Sequence, residues 1–403
     1  MTFRYTFEFK MYNGLVKNYF QKELPIITTN SISLQKLDRK PTNMADKALL
    51  FIPDISGFTE FVQHTAIQHS RHIISELLEL LIDNNTTGLQ LAEIEGDALF
   101  FYKIEQETNI KQIREQVKRM YVAFHTYLKR YEYEKICQCG ACSSVYNLSL
   151  KFVVHYGEIE FISIKDSNKP YGPNVIKVHR LLKNDVPISE YVLLTEDVDK
   201  EAIKIAENQL QANYDFGDIT YAYESLSEYK SELPEISPIP DNVPKHNIYS
   251  TAASINLPLL ELYEIISNFD YRLLWAKGID KVEYEKNRVN RIGDKHKCLI
   301  DKTTINPTTV TKKVAKNQLV YGESTTEVSF TKKLNIYYVL EAENDQKTRL
   351  KIEVFVDFKP FGILLKRLMK KNFKKVVPEN IKELILLADS GFKTQEFNLK
   401  TKP

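Results

Sequence analysis

Two aspartates stand where they could do chemistry. Asp54 lies in the run FIPDISGFTEF at 51–61 and Asp97 in LAEIEGDALFF at 91–101, each beside a glycine at the end of an apolar, strand-like stretch. Carboxylates brought together on neighbouring strand ends can hold a pair of divalent cations, the minimum equipment for in-line phosphoryl transfer on a nucleotide. A second cluster, Cys137, Cys139 and Cys142 in CQCGAC, puts three thiols close together. With a fourth ligand from His125, His155 or a partner chain it could bind zinc; without one these are reduced cytosolic thiols. Near the C-terminus Lys366, Arg367, Lys370, Lys371, Lys374 and Lys375 form a stripe opposite Leu364, Leu365, Leu368 and Phe373. That pattern suits either contact with anionic lipid or an acidic partner, or a solvated helix face.

The elements that must position these residues alternate strand and helix from Lys47. ALLFIPDI reads as a buried strand, and 59–83 as a helix whose apolar residues recur at three- and four-residue steps. LQLAEIEGDALFFYKI reads as a hairpin around Glu95-Gly96-Asp97, 109–134 as a second helix, LSLKFVVHYGEIEFISI as strand, and 174–183 as a short helix. The order β-α-β-β-α-β is a ferredoxin-like pattern. SELPEISPIPDNVPKH carries four prolines and reads as an extended linker.

After the linker the pattern changes. NIYSTAASI leads into a helix over 258–268, followed by the strand-like runs VEYEK, KHKCLIDKTT, TTVTKKVA, LVYGESTT, KLNIYYVLEAE and RLKIEVFVDFK. The last of these puts Leu350, Ile352, Val354, Val356 and Phe358 on one face. A long amphipathic segment over 361–389 closes the chain, with Pro378 expected to kink or interrupt it.

The 403 residues suffice for two or three domains with substantial cores. A formal net charge of +2 argues against general nucleic-acid binding. No apolar run approaches the roughly 20 residues that span a bilayer. MTFRYTFEFKMYNG lacks the apolar core of a secretory signal, and four cysteines suit a reducing compartment, so the expected location is the cytoplasm.

The first half resembles the class III nucleotidyl cyclase catalytic domain over roughly 47–200. The matching residues are Asp54 through Thr59, Glu95-Gly96-Asp97-Ala98, His155-Tyr156-Gly157-Glu158, and Gly172 through Arg180-Leu181. The resemblance implies that Asp54, the Ile55 carbonyl and Asp97 hold two Mg²⁺ or Mn²⁺ ions. It also implies that the amides of Gly57, Phe58 and Thr59 cradle the triphosphate of a purine nucleotide, and that a homodimer forms, because family sites lie between two such domains. Arg180 stands at the spacing of the family's transition-state arginine. Four residues before it, where the family has a ribose-orienting asparagine, this chain has Ile176, and Asn174 is displaced by two residues. At the base-selecting position Glu93 matches guanylyl cyclases, whereas Lys169 at the second base-contacting position fits neither the adenylyl nor the guanylyl pattern.

The second half, about 247–390, resembles the START-like (SRPBCC, polyketide-cyclase-like) superfamily in its layout, in Trp275 after the first helix, in Arg291-Ile292-Gly293 and in the final helix. This implies a helix-grip fold with an apolar cavity for a hydrophobic small molecule. The combination is similar to an uncharacterised bacterial family of unknown function, DUF2652. The expected fold class is therefore α+β: a ferredoxin-like cyclase-type domain plus a helix-grip domain. The expected divisions are an extension outside the fold over 1–43, from an upstream start codon; the cyclase-like domain over 44–228; a linker over 229–246; the START-like domain over 247–393; and a tail over 394–403. Three functions compete: a nucleotide-binding regulatory protein with weak or no cyclase activity, an active cyclase sensing a hydrophobic ligand, and a ligand carrier with the cyclase-like domain as a dimerisation scaffold.

Overall fold

In the first half, continuous apolar runs become central strands because both their faces are covered. The computed structural model of the protein describes residues 46–63, 67–136, 140–165, 167–214, 217–237, 242–286, 288–300 and 303–394, all within one compact unit, Ala45–Pro403. The expected extension over 1–43 lies outside the described residues. The elements of the first half are β1 (Asp46–Ser56), α1 (Phe58–Gln63), α2 (Ile67–Asp83), β2 (Gln90–Glu95), β3 (Ala98–Ile104), α3 (Ile110–Glu134) and α4 (Gly140–Ser144). They continue as β4 (Ser149–Ile164), β5 (Ser167–Tyr171), α5 (Pro173–Arg180), β6 (Tyr191–Thr195), α6 (Lys200–Lys204), β7 (Gln209–Tyr214) and β8 (Gly217–Ser225). The sheet runs β2-β3-β1-β4-β6-β8-β7, with β5 folded back on β4.

β1 is the axis of this sheet, antiparallel to both β3 and β4. Strand side chains alternate between faces. Leu49, Phe51 and Ile55 therefore enter the core shared with α2 and α3, while Ala48, Leu50 and Ile52 enter a second core with Val178 and Leu181 of α5. Asp54 shares the parity of that second set. The expected helix over 59–83 is described as α1 and α2, with 64–66 outside the described residues. α3 starts at Asn109, whose side chain accepts a hydrogen bond from the Gln112 amide, an N-cap.

The second half comprises β9 (His246–Ile255), α7 (Leu259–Ser267), α8 (Arg272–Trp275), β10 (Lys281–Glu283), β11 (Lys297–Ile300), β12 (Thr303–Ile305), β13 (Thr308–Val310), β14 (Gln318–Thr325), β15 (Thr331–Asn344), β16 (Lys347–Phe358) and α9 (Lys366–Asp389). Its strands form one sheet of order β13-β14-β15-β16-β9 and another of order β10-β11-β12. Leu350 and Ile352 of β16, Leu340 of β15 and Trp275 pack with Val377, Ile381 and Leu384 of α9. The fold class is α+β, as the alternation of patterns indicated.

Two expectations need correction. TTVTKKVA is strand only over β13. Its continuation instead carries Lys312 over the Tyr337 and Phe355 rings and into an ion pair with Glu353. Pro378 does not interrupt α9, which runs unbroken through it. Both Pro378 and Lys374 are exposed, so water can satisfy the carbonyl that loses its partner.

The two halves meet at Arg291. Its guanidinium lies 4.9 and 4.8 Å from the Tyr127 and Tyr131 rings of α3, donates to the Tyr127 hydroxyl at 2.8 Å, and pairs with Glu76 of α2. The Ile292 amide donates to the Glu134 carbonyl at 2.9 Å.

Candidate functional site

The end of β1 brings the two aspartates together. Asp54 faces Ala98 of β3 on one side and Lys151 of β4 on the other. Asp97 is the last residue of the β2–β3 turn, where Gly96 takes φ +70°, and its carbonyl accepts from the Ile55 amide at 3.1 Å. Burial, and then the neighbouring Asp54 charge, push the Asp97 carboxyl above the ordinary carboxylate range. Lys151, which the sequence reading missed, reaches Asp54 Oδ2 at 2.9 Å and donates to the Leu182 carbonyl at 3.4 Å. Two carboxylates thus share one ammonium and keep a net negative charge. Hard oxygen donors left in that state fit a divalent cation, and the fit is in competition with Lys151 for one Asp54 oxygen. Among the described residues no cluster of three or more His, Cys, Asp or Glu side chains offers an alternative metal centre.

Gly57, at φ +87°, turns the chain from β1 into α1, and a Cβ there would come within 3.4 Å of the Asn147 carbonyl oxygen. The first turn of a helix leaves amides without intrahelical partners, and Phe58 and Thr59 are in that turn. On this edge Ile55 is fully buried, so its carbonyl is its contribution to any ligand set.

α5 carries the departures from the cyclase pattern. Ile176 is 54% exposed, and with Val175, His179, Arg180 and Lys183 it lines a shallow groove on the outer face of the helix. Asn174 is committed elsewhere. Its Nδ2 donates to the Glu158 carbonyl at 2.9 Å, so its Oδ1 is left to accept from His155 Nε2 at 2.9 Å. The amide sits over Gly157, where a Cβ would be only 2.5 Å away. The Thr195 hydroxyl meets His155 Nδ1 at 2.8 Å, and burial pulls this histidine down to about 4. His179 Nε2 donates to Glu95 at 2.8 Å, tying α5 to the hairpin that carries Asp97. Glu93 and Lys169 lie 2.9 Å apart as an ion pair, each 43% exposed. The two positions at which the cyclase resemblance implied base contact are therefore paired with each other.

The zinc expectation is only partly visible. Cys137 and Cys139 lie outside the described residues, while the Cys142 thiol is buried and accepts from the Tyr131 hydroxyl at 3.0 Å. Both histidines considered as a fourth ligand already have polar neighbours. Both nitrogens of His155 face Thr195 and Asn174, and His125 lies 2.6 Å from Glu190. Burial pushes Glu190 up, but His125 and Lys230 bring it down to about 2.

In the second half, the layer between sheet and helices holds charge as well as apolar side chains. The Arg272 guanidinium, 4.9 Å from the Trp275 ring, donates to the Tyr321 hydroxyl at 3.1 Å and pairs with Glu323. Tyr321 in turn donates to Glu323 at 2.7 Å. His296 lies 3.5 Å from Glu323 and is pulled down to about 4 by burial. Burial likewise pushes the nearby Cys298 thiol up to about 11. No sequence signal marked this group, because its members are far apart in the chain.

Comparison with known proteins adds the following. Residues 74–191 match the family described as protein of unknown function (DUF2652). Among solved structures, the adenylyl cyclase CyaB of P. aeruginosa is 13% identical with a TM-score of 0.31, covering 45% of this chain and 95% of that one. A START superfamily protein of Mycobacterium smegmatis is 14% identical with a TM-score of 0.28, covering 36% of this chain and 98% of that one. The uncharacterized protein Rv2561/Rv2562 of Mycobacterium tuberculosis is 32% identical over 178 residues, which is 44% of this chain and 80% of that protein. At that identity and coverage, this chain belongs to the same family as the uncharacterised mycobacterial protein.

Proposed function

We propose that the protein binds a purine nucleoside triphosphate with Mg²⁺ or Mn²⁺ at the Asp54–Asp97 edge. In this reading it acts as a dimeric regulatory protein with weak or no cyclase activity, and its second half takes a hydrophobic small molecule. Asp54, Asp97 and the Ile55 carbonyl would hold the cations, and the amides of Gly57, Phe58 and Thr59 would meet the phosphates. Bound cations would supply Lewis-acid activation of the ribose 3′-hydroxyl and charge neutralisation at the α-phosphate. Lys151 orients Asp54 and takes up part of its charge.

The observation that carries the reading is the position of Asn174. Its amide is held between His155 and Glu158, while the cyclase asparagine position is filled by the exposed, apolar Ile176. A nucleotide could be bound with its ribose left unoriented. Losing one aligned donor costs on the order of 2.7–4 kcal/mol in a transition state, a hundredfold or more in rate.

Purified protein incubated with Mn²⁺ and ATP or GTP tests this, beside Asp54→Ala and Asp97→Ala. Expected are nucleotide binding that both variants lose and little cyclic product, with Ile176→Asn increasing any turnover. Rapid cyclic-nucleotide formation by the wild type would establish an active cyclase instead. Absence of nucleotide binding would leave the scaffold-and-carrier reading.

A further inference from the structure

Two loop tips meet at the start of α9, and both present phenylalanine to solvent. Phe330, between β14 and β15, is 56% exposed, and Phe361, between β16 and α9, is 84% exposed. Both have left-handed backbones, with φ of +65° and +64°. Bulky residues rarely adopt that conformation, and strain of this kind is retained where the exposed group has a task. The tips are locked together. The Lys359 amide donates to the Phe330 carbonyl at 3.0 Å, and a Cβ on Gly362 would fall 2.1 Å from that oxygen.

Beside them Ile363, Leu364 and Leu368 are 50%, 77% and 57% exposed. α9 packs on the core through Val377, Ile381 and Leu384. The helical period then sets Leu368, Lys371 and Lys375 along the opposite side, with Leu364 exposed in the 3-10 turn just before the helix. From Phe358 to Pro378 the sequence has no acidic residue, but it carries Lys359, Arg367, Lys370, Lys371, Lys374 and Lys375, all exposed. Scattered apolar side chains are ordinary on a protein surface; a cluster of five, two of them on left-handed backbones and all collared by cations, has the make-up of an interaction surface.

We propose that this tip is a docking surface for an anionic bilayer. The phenylalanines and leucines enter the headgroup region, and the lysine collar meets the negative surface behind them. Charge complementarity decides the occupant. A hydrophobic protein groove would satisfy the apolar cluster but would leave the unrelieved run of positive charge without a counterpart, whereas a surface of acidic headgroups satisfies both. The proposal stands apart from the nucleotide reading, since it uses none of the same residues.

The full chain is co-sedimented with vesicles of phosphatidylcholine alone and of phosphatidylcholine with phosphatidylserine. Binding is expected to the mixed vesicles and to be weakened by high salt. Leu364→Glu/Leu368→Glu should lower the partition constant by about tenfold or more. Lys370→Glu/Lys371→Glu should lower binding to the mixed vesicles with an unchanged melting temperature. Equal sedimentation with neutral vesicles, or leucine variants that bind like wild type, would overturn the proposal. So would a wild type that ignores vesicles but self-associates through a contact that Leu364→Glu/Leu368→Glu abolishes in sedimentation velocity.

Discussion

The two halves handle buried charge in opposite ways. At the end of β1, Asp54 and Asp97 are like charges served by one ammonium, Lys151, and Asp97 is held above its usual range. Around Arg272 the charges are opposite and interlocked. Burial pushes Glu323 up, but Arg272 and His296 hold it below the usual value, and Tyr321 donates to it as well. The second arrangement is balanced in charge, one guanidinium against one carboxylate. The first keeps one negative charge in excess, the state that the proposed cation would relieve. Counting charges pair by pair therefore separates a lock from a site, even where both are made of the same kinds of charged side chain.

Breaking the lock should have the largest effect. Glu323→Gln or Arg272→Met leaves one partner buried without its counter-charge, which costs about 3–5 kcal/mol. Urea denaturation should show that loss in either single variant, with much of it recovered in Arg272→Met/Glu323→Leu. Single variants as stable as wild type would mean that water already reaches the cluster.

The contact between the halves gives an intermediate test. Arg291 and Glu76 are 14% and 6% exposed, and aromatic rings of α3 cover the guanidinium. Arg291→Ala should cost about 2–4 kcal/mol, somewhat less than the deeper pair. It should also split the thermal transition in two, because this side chain ties the second half to α2 and α3. A single unchanged calorimetric transition would show that other contacts carry the coupling.

The contrast was only half legible in the sequence. The run around Asp54 announced a buried strand, and Glu95-Gly96-Asp97 announced a hairpin, because both signals are local. What stands across from Asp54 was not legible. Lys151 faces it through the register of β1 with β4, a pairing fixed by the whole sheet. Arg272, His296 and Glu323 belong to α8, a loop and β14, and only the packing of the second half brings them into one group. His155 looked like a possible metal ligand because a sequence shows a side chain's type and not what already occupies its two nitrogens. Asn174, two residues from the expected position, turned out to serve that histidine.

The smallest effect lies at the carboxylate pair, and its sign is what distinguishes a site from a lock. A carboxyl whose folded pKa is raised binds protons more tightly in the native state than in the unfolded one. Stability should therefore fall as pH rises from the unfolded value of 3.8 through the raised native value, and neutral pH should leave the pair ionised at a cost. Asp97→Asn removes that cost and should raise stability at neutral pH by about 0.5 kcal/mol, a modest gain because water screens a half-exposed group. Mn²⁺ should stabilise the wild type in proportion to its occupancy of the native state, and should leave Asp97→Asn nearly unmoved. The variant would then be more stable than wild type without metal and less stable with it. Around Arg272 no such crossing is expected, since removing either charge alone destabilises under both conditions. If Asp97→Asn is simply destabilised, and Mn²⁺ still raises its melting temperature, the aspartate pair is a lock after all and the cation binds elsewhere.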